Sequence, residues 1–260
     1  MRTLFFTLSV LVFAACNDSG DADFKRVPSD LSLEKLNGII SSIEETPYLT
    51  DNTGKMLNAD TCCVKIWNYD SAGYLNIYTE RKYGGTIKQE VFNSRYPSGM
   101  WKSSYTQQNH KIFSRLETTK NKKGNYERGV ETDSAGNILR IYRDIVINDN
   151  GQLLSWKQLD KDSILHTQGE NTYDTLNLRT SFVLKDSVGN ITKSSVYKYD
   201  TKGRLTEEII TENTGGIASV KTKKYTYESD DDKGNWTQRT EWDENGIAKQ
   251  VVVREYFYND

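Results

Sequence analysis

Two histidines, three cysteines and an almost balanced charge leave several kinds of chemistry without material. His110 and His166 sit in polar surroundings with no partner at metal-ligand spacing, which reads as solvated surface imidazole, so no metal is expected. The chain has no nucleophile-elbow serine, zinc-protease helix, paired cysteine knuckle or phosphate-cradling glycine loop. No motif therefore points to an enzyme, and no cofactor is implied. With 34 basic against 36 acidic side chains, the net charge of −2 offers nucleic acid no attractive field. Hydrophobic residues make up only 36% of the chain, yet 16 Tyr and 5 Trp give that apolar material an aromatic bias. Such a composition suits pleated, half-exposed β-structure better than a thick core. The first apolar run, residues 4–13, is roughly half of the ~20 residues that a bilayer-spanning helix needs.

That run reads as the core of a signal peptide. Arg2 supplies a positive start, and small Ala14 and Ala15 precede Cys16. Phe13-Ala14-Ala15-Cys16 resembles the lipobox of bacterial lipoproteins, which implies a diacylated Cys16 as the mature N-terminus, with Phe13 where leucine is commonest. Residues 1–15 are then a signal peptide and residues 16–28 a flexible tether. Residues 29–260 form a single β-rich domain. Asn17 to Asp23 is small and acidic and resembles the export signal of surface lipoproteins of Bacteroidota. The expectation is an outer-membrane lipoprotein held by its lipid, on the cell surface or on the periplasmic face.

Cys62 and Cys63 are adjacent. On a strand they point to opposite faces, and a bond between them closes a strained eight-membered ring. Two small hydrophobic strand residues are the expected account, with a vicinal disulfide the alternative in an exported chain.

Repetition dominates the rest. Of 18 glycines, 11 have Asp or Asn three residues earlier, where chance would give roughly three; the pattern is that of a turn. Asp or Asn in the first position accepts backbone amides, and glycine in the fourth adopts positive φ, as in a type I turn followed by a bulge. Copies occur at Asp70, Asp133, Asp186, Asp200, Asp231 and Asp243. With Asn allowed, or with looser flanks, Asp51, Asn121, Asn148 and Asn213 join them. Between turns, polar residues alternate with apolar or aromatic ones, as in Ser195-Val196-Tyr197-Lys198-Tyr199. The predicted fold is all-β: an antiparallel meander of repeated β-hairpins forming a twisted strip that can curl on itself. Residues 160–180 read as irregular. A short N-terminal helix capped by Ser29 is expected before a strand over residues 39–48, which Pro47 would place at an edge.

Tyr199-Asp200-Thr201-Lys202-Gly203-Arg204-Leu205 resembles the repeat of YD-repeat or Rhs-like proteins, especially the short repeat lipoproteins of Bacteroidota, over residues 51–260. In large members hairpins wind into a shell around a toxin. This chain has too few repeats for such a shell and no cargo domain, so the resemblance implies a fold and not toxin delivery.

The site candidates are few. Trp236 and Trp242, taken to flank one hairpin, with Tyr225 and Tyr227, could form a face that stacks on a glycan or anchors a protein partner. Packing is the competing account of every tryptophan. Asp70-Ser71, Asp133-Ser134, Asp162-Ser163, Asp174-Thr175 and Asp186-Ser187 resemble O-glycosylation acceptors of exported Bacteroidota proteins, although hydroxyl residues favour turns in any case. Asp230 to Asp232 could share a calcium ion with Asp243 and Glu244 one hairpin away, but turn propensity explains them without one. The function expected is a noncatalytic, lipid-anchored binding or scaffold module. An envelope hydrolase using carboxylates, or a periplasmic inhibitor or immunity protein, is the alternative.

Overall fold

The computed structural model describes residues 27–259, so the signal peptide, Cys16 and most of the tether lie outside the described residues. One helical turn, α1 (Asp30–Leu33), precedes seventeen strands. These begin with β1 (Ile40–Thr50), β2 (Met56–Ala59), β3 (Val64–Tyr69), β4 (Leu75–Arg81), β5 (Ile87–Arg95), β6 (Trp101–Gln108), β7 (Lys111–Lys120) and β8 (Tyr126–Asp133). They continue with β9 (Ile138–Ile147), β10 (Leu153–Leu159), β11 (Leu165–Tyr173), β12 (Arg179–Asp186), β13 (Ile191–Tyr199) and β14 (Leu205–Thr214). The last are β15 (Ile217–Asp230), β16 (Trp236–Trp242) and β17 (Ala248–Tyr258).

From β3 onward each strand pairs antiparallel with the next, and β17 then pairs with β1 from Ile40↔Tyr258 to Tyr48↔Val251. On its other edge β1 pairs with β3 from Ser42↔Asn68 to Glu45↔Lys65. Of the 17 strands all but β2 lie in this circuit, so the sheet is a closed barrel of 16 strands. The expected twisted strip is therefore corrected: the meander closes on itself. Closure leaves no free edge along the sixteen strands of the circuit. Pro47 is likewise not on an edge strand. It falls between the β3 pairing and the short β2 pairing of β1, where its missing N–H interrupts no ladder, and its carbonyl accepts from the Asp60 amide at 2.8 Å.

The turns explain the periodicity. At Asp70 the carboxylate accepts the Ala72 and Tyr74 amides at 2.9 and 3.0 Å, and the Gly73 amide returns to the Asp70 carbonyl at 2.9 Å. The same bonds recur at Asp133, Asp186, Asp200, Asp231 and Asp243. Residues 160–180 are not irregular. Asp160 and Asp174 make the same turns with Ser163 and Asn177 at positive φ where other copies have glycine. Asn213 departs from the pattern: Thr214 pairs with Ile217 across a two-residue turn of Gly215 and Gly216, both at positive φ.

Hydrogen bonds from Asn137 and Asn190, side chain first, hold the Asp133 and Asp186 carboxyls below the ordinary aspartate range. Their contribution is complete above the unfolded carboxyl range of ~3.9 and is lost as pH falls through the lower folded-state values. Denaturant midpoints are expected to hold from neutrality to about pH 5 and to fall below it, with Asp133→Asn and Asp186→Asn together flattening part of that fall.

Successive turns alternate between the two ends of the barrel, and the N-terminal strap, residues 27–39, lies across one of them. Ser29 caps α1 through its Oγ, 3.3 Å from the Ser32 amide. Asp30 binds the Leu75 amide and Arg95, both at 2.6 Å, and Val27 donates to the Ser98 carbonyl at 2.9 Å. At the far wall Asn37 and Asn235 exchange bonds of 2.8 and 2.9 Å. Leu31 on the strap is buried with Ile40, Ile43 and Tyr69, against which Leu36, Trp67 and Tyr256 pack. This end of the barrel carries the core.

Candidate functional site

Burial along single strands tells the inside from the outside. On β11 Gly169 and Asn171 are buried while Glu170 and Thr172 are exposed; on β13 Ser195 is buried while Val196 and Lys198 are exposed. Extending this alternation through the strand registers puts Trp67, Tyr142, Trp156, Phe182, Tyr197, Tyr225 and Tyr227 on the inner face. The outer face carries charge: Lys185 pairs with Glu170 at 2.5 Å, Lys198 with Glu207 at 2.6 Å and Arg81 with Glu44 at 2.8 Å.

The proposed aromatic face is not one face. Trp236 is 7% exposed and lies inside, its ring 5.5 Å from that of Tyr227. Trp242 lies outside near the other end, its indole N–H 2.9 Å from Thr226 Oγ1. Both belong to β16 rather than flanking one hairpin, and a register shift opposite Asp230 turns Trp236 inward although the two are six positions apart. A bulge of this kind follows turn after turn and reverses the alternation that a strict period of two predicts.

Much of the repeated tyrosine is structural. The hydroxyls of Tyr199, Tyr227 and Tyr256 each donate at 2.9 Å to a carbonyl of the preceding hairpin, of Arg179, Leu205 and Trp236 respectively. Burial pushes the Tyr199 hydroxyl up to about 12, so it remains a donor at any ordinary pH. Tyr225 is 9% exposed and lies under the Arg239 guanidinium, 4.9 Å from its ring centroid.

Two chambers occupy the interior. One, of about 480 Å³, is apolar and is lined by Trp101, Leu116, Tyr126, Tyr142 and Trp156 among others. The other, of about 970 Å³, lies between the strap and the wall from β11 to β17. It contains Trp236 and Tyr227 together with Lys35, Arg179, Lys202, Arg204, Arg239 and Arg254, while Glu34 is its one acidic lining residue. Glu34 is surrounded by protein yet its side chain still meets the water-accessible lumen. That enclosure raises its carboxyl above the usual range, against the opposing pull of Arg254.

The remaining sequence candidates are scattered. Ser71, Ser134, Ser163, Thr175 and Ser187 are all exposed in hairpin turns, at both ends of the barrel. Asp230 binds Lys202 and Arg204, and Asp243 binds Lys249. The turns beginning at Asp231 and Asp243 lie at opposite ends, since the whole of β16 separates them, so they cannot share an ion. Among the described residues no cluster of metal-ligating side chains occurs. His110 sits in a two-residue turn at positive φ, and His166 lies 3.5 Å from Asp160 on the surface. Cys62 and Cys63 are joined in a disulfide in the loop before β3, not unbonded strand residues as expected, with Lys88 Nζ 3.3 and 3.2 Å from the two sulfurs.

No family model and no curated protein matches the chain. Among solved structures, the chain aligns with a porin-like protein from Bacteroides uniformis over 84% of its own length and 98% of that chain, at 15% identity and a TM-score of 0.53. The two folds are similar. That agreement supports the closed barrel over the open strip and bears on fold alone. A porin-like protein from Bacteroides vulgatus matches at 14% identity with a TM-score of 0.38, over 85% of this chain and 99% of that one. The Tc holotoxin pore of Photorhabdus luminescens matches at 12% identity with a TM-score of 0.31, over 76% of this chain and 12% of that one. Likeness at those two scores carries no argument about this barrel.

Proposed function

We propose that this chain is a noncatalytic outer-membrane lipoprotein, held by lipid on Cys16, whose barrel stands in water and binds a small ligand in its lumen. The observation that carries the reading is the distribution of side chains: most of the tyrosine and tryptophan inside, Trp242 excepted, and ion pairs such as Lys185–Glu170 and Lys198–Glu207 outside. A barrel embedded in a bilayer presents an apolar band about 25 Å tall, and a lysine or arginine at its midplane costs about 2–4 kcal/mol. The strap across one mouth argues against conduction through the barrel. It also brings Val27, the first of the described residues, to that end. Two of the lumenal carboxylates, Glu45 and Glu241, are each tied to a cation, Arg254 and Lys223, which leaves neither free as a general acid or base. A glycan ligand fits the aromatic lining.

Fractionation of producing cells tests the anchor. The native chain is expected with the outer membrane, and a Cys16→Ala chain in the soluble fraction without detergent. A Cys16→Ala chain that stays in the membrane through an alkaline wash would mean that the barrel itself spans the bilayer.

A further inference from the structure

We propose that the chamber beneath the strap is a binding site for a ring-bearing organic anion, a carboxylate, sulfate or phosphate ester on a flat or cyclic body. This rests on the lumenal-binding reading above and names its ligand class. The chamber volume, about 970 Å³, lies at the upper end of what small-molecule sites use.

Its cations fall into two groups. Arg204 and Lys202 are bound to Asp230, with Arg204 also on Asp200, and Arg254 is bound to Glu45. Lys35, Arg179 and Arg239 have no carboxylate within ion-pair distance among the described residues. Arg239 Nε is buried without a hydrogen-bond partner.

Aromatic rings hold the guanidinium groups in place. Arg179 lies 4.5 Å from the Tyr197 ring and hydrogen-bonds its hydroxyl at 3.0 Å. Arg239 lies 4.9 Å from both the Tyr225 and the Trp236 rings. A guanidinium stacked on a ring keeps its planar fork of donors in one orientation, the arrangement that matches an oxyanion in two-point fashion. Trp236, Tyr199 and Tyr227, which line the chamber, offer flat apolar surface for the body of the ligand. Lys35 comes from the strap, in a positive-φ conformation beside Gly203, so the cap supplies one wall of the charge site.

Fluorescence titration of the full chain carrying Cys16→Ala tests this with two probes of the same ring body, anilinonaphthalene sulfonate and uncharged phenylnaphthylamine. Circular dichroism verifies that each variant is folded. The sulfonate is expected to bind at least about tenfold more tightly than the neutral probe. Arg179→Gln on the wall and Lys35→Gln on the strap should each weaken the sulfonate by about tenfold and leave the neutral probe unchanged. Arg115→Gln, on the exposed outer face, should change neither. Equal binding of both probes, indifference to Arg179→Gln and Lys35→Gln, or no sulfonate binding by the folded chain would overturn the proposal. None of these outcomes alters where the native and Cys16→Ala chains fractionate, so the anchoring reading stands or falls separately.

Discussion

Glu45→Ala is expected to cost about 3–5 kcal/mol of folding stability, the range for removing one partner of a buried ion pair. Glu45 and Arg254 face each other across the β1–β17 seam, 2.5 Å apart, with side chains only 10% and 13% exposed. Arg254 also lies 4.1 Å from the Trp236 ring. The alanine variant leaves a guanidinium enclosed in the lumen with its main counter-charge gone, at the seam where chain ends 209 residues apart must meet. A Glu45→Leu, Arg254→Met double variant, which removes both charges and keeps the volume, should recover most of the loss. Guanidinium unfolding of the three proteins measures it. A Glu45→Ala cost below about 1 kcal/mol would mean that water in the lumen screens the pair as it screens a surface bridge.

Gly169→Ala is expected to destabilise by about 1–3 kcal/mol through overpacking. Gly169 has ordinary negative-side backbone and lies inside β11 opposite Trp156, where an added Cβ would run into the indole ring. The indole covers the glycine and runs nearly parallel to the Phe182 ring, with centroids 6.2 Å apart. It cannot move without disturbing the apolar chamber that it lines. Trp156→Leu in the same chain should restore stability by making room, which separates the clash from any effect of the backbone. Gly136→Ala provides the contrast. Nothing lies within 4 Å of its added Cβ, so its cost comes from φ +86° alone. No cooperative recovery in the double variant would show that Trp156 rearranges freely and that the chamber wall is soft.

The hairpins were legible because their chemistry is local. An Asp or Asn carboxyl or amide needs only the amides two and four residues on, and a glycine at positive φ needs no neighbour, so Asp70, Asp133 or Asp200 announces its turn from sequence alone. Where Ser163 and Asn177 replace glycine the turn survives, and the sequence pattern failed there because it was keyed to glycine. Trp236 and Trp242 mark the next limit. Strand alternation assigns faces only while the register is unbroken, and a bulge near the turns reverses it.

The arginines of the chamber were not legible at all. Arg179, Arg239 and Lys35 come from β12, β16 and the strap, and no spacing along the chain relates them; only the ring of strands brings them to one cavity. By itself, then, the sequence determined where the glycine-bearing turns fall, that the segments between them are strands, and that tyrosine and tryptophan would supply the apolar surface. Closure of the sheet, which face turns inward, and which charges meet across the lumen were decided by the tertiary structure. Each depends on accumulated twist and bulges and on the pairing of β1 with β17, terms that involve residues far apart in the chain and leave no local signature.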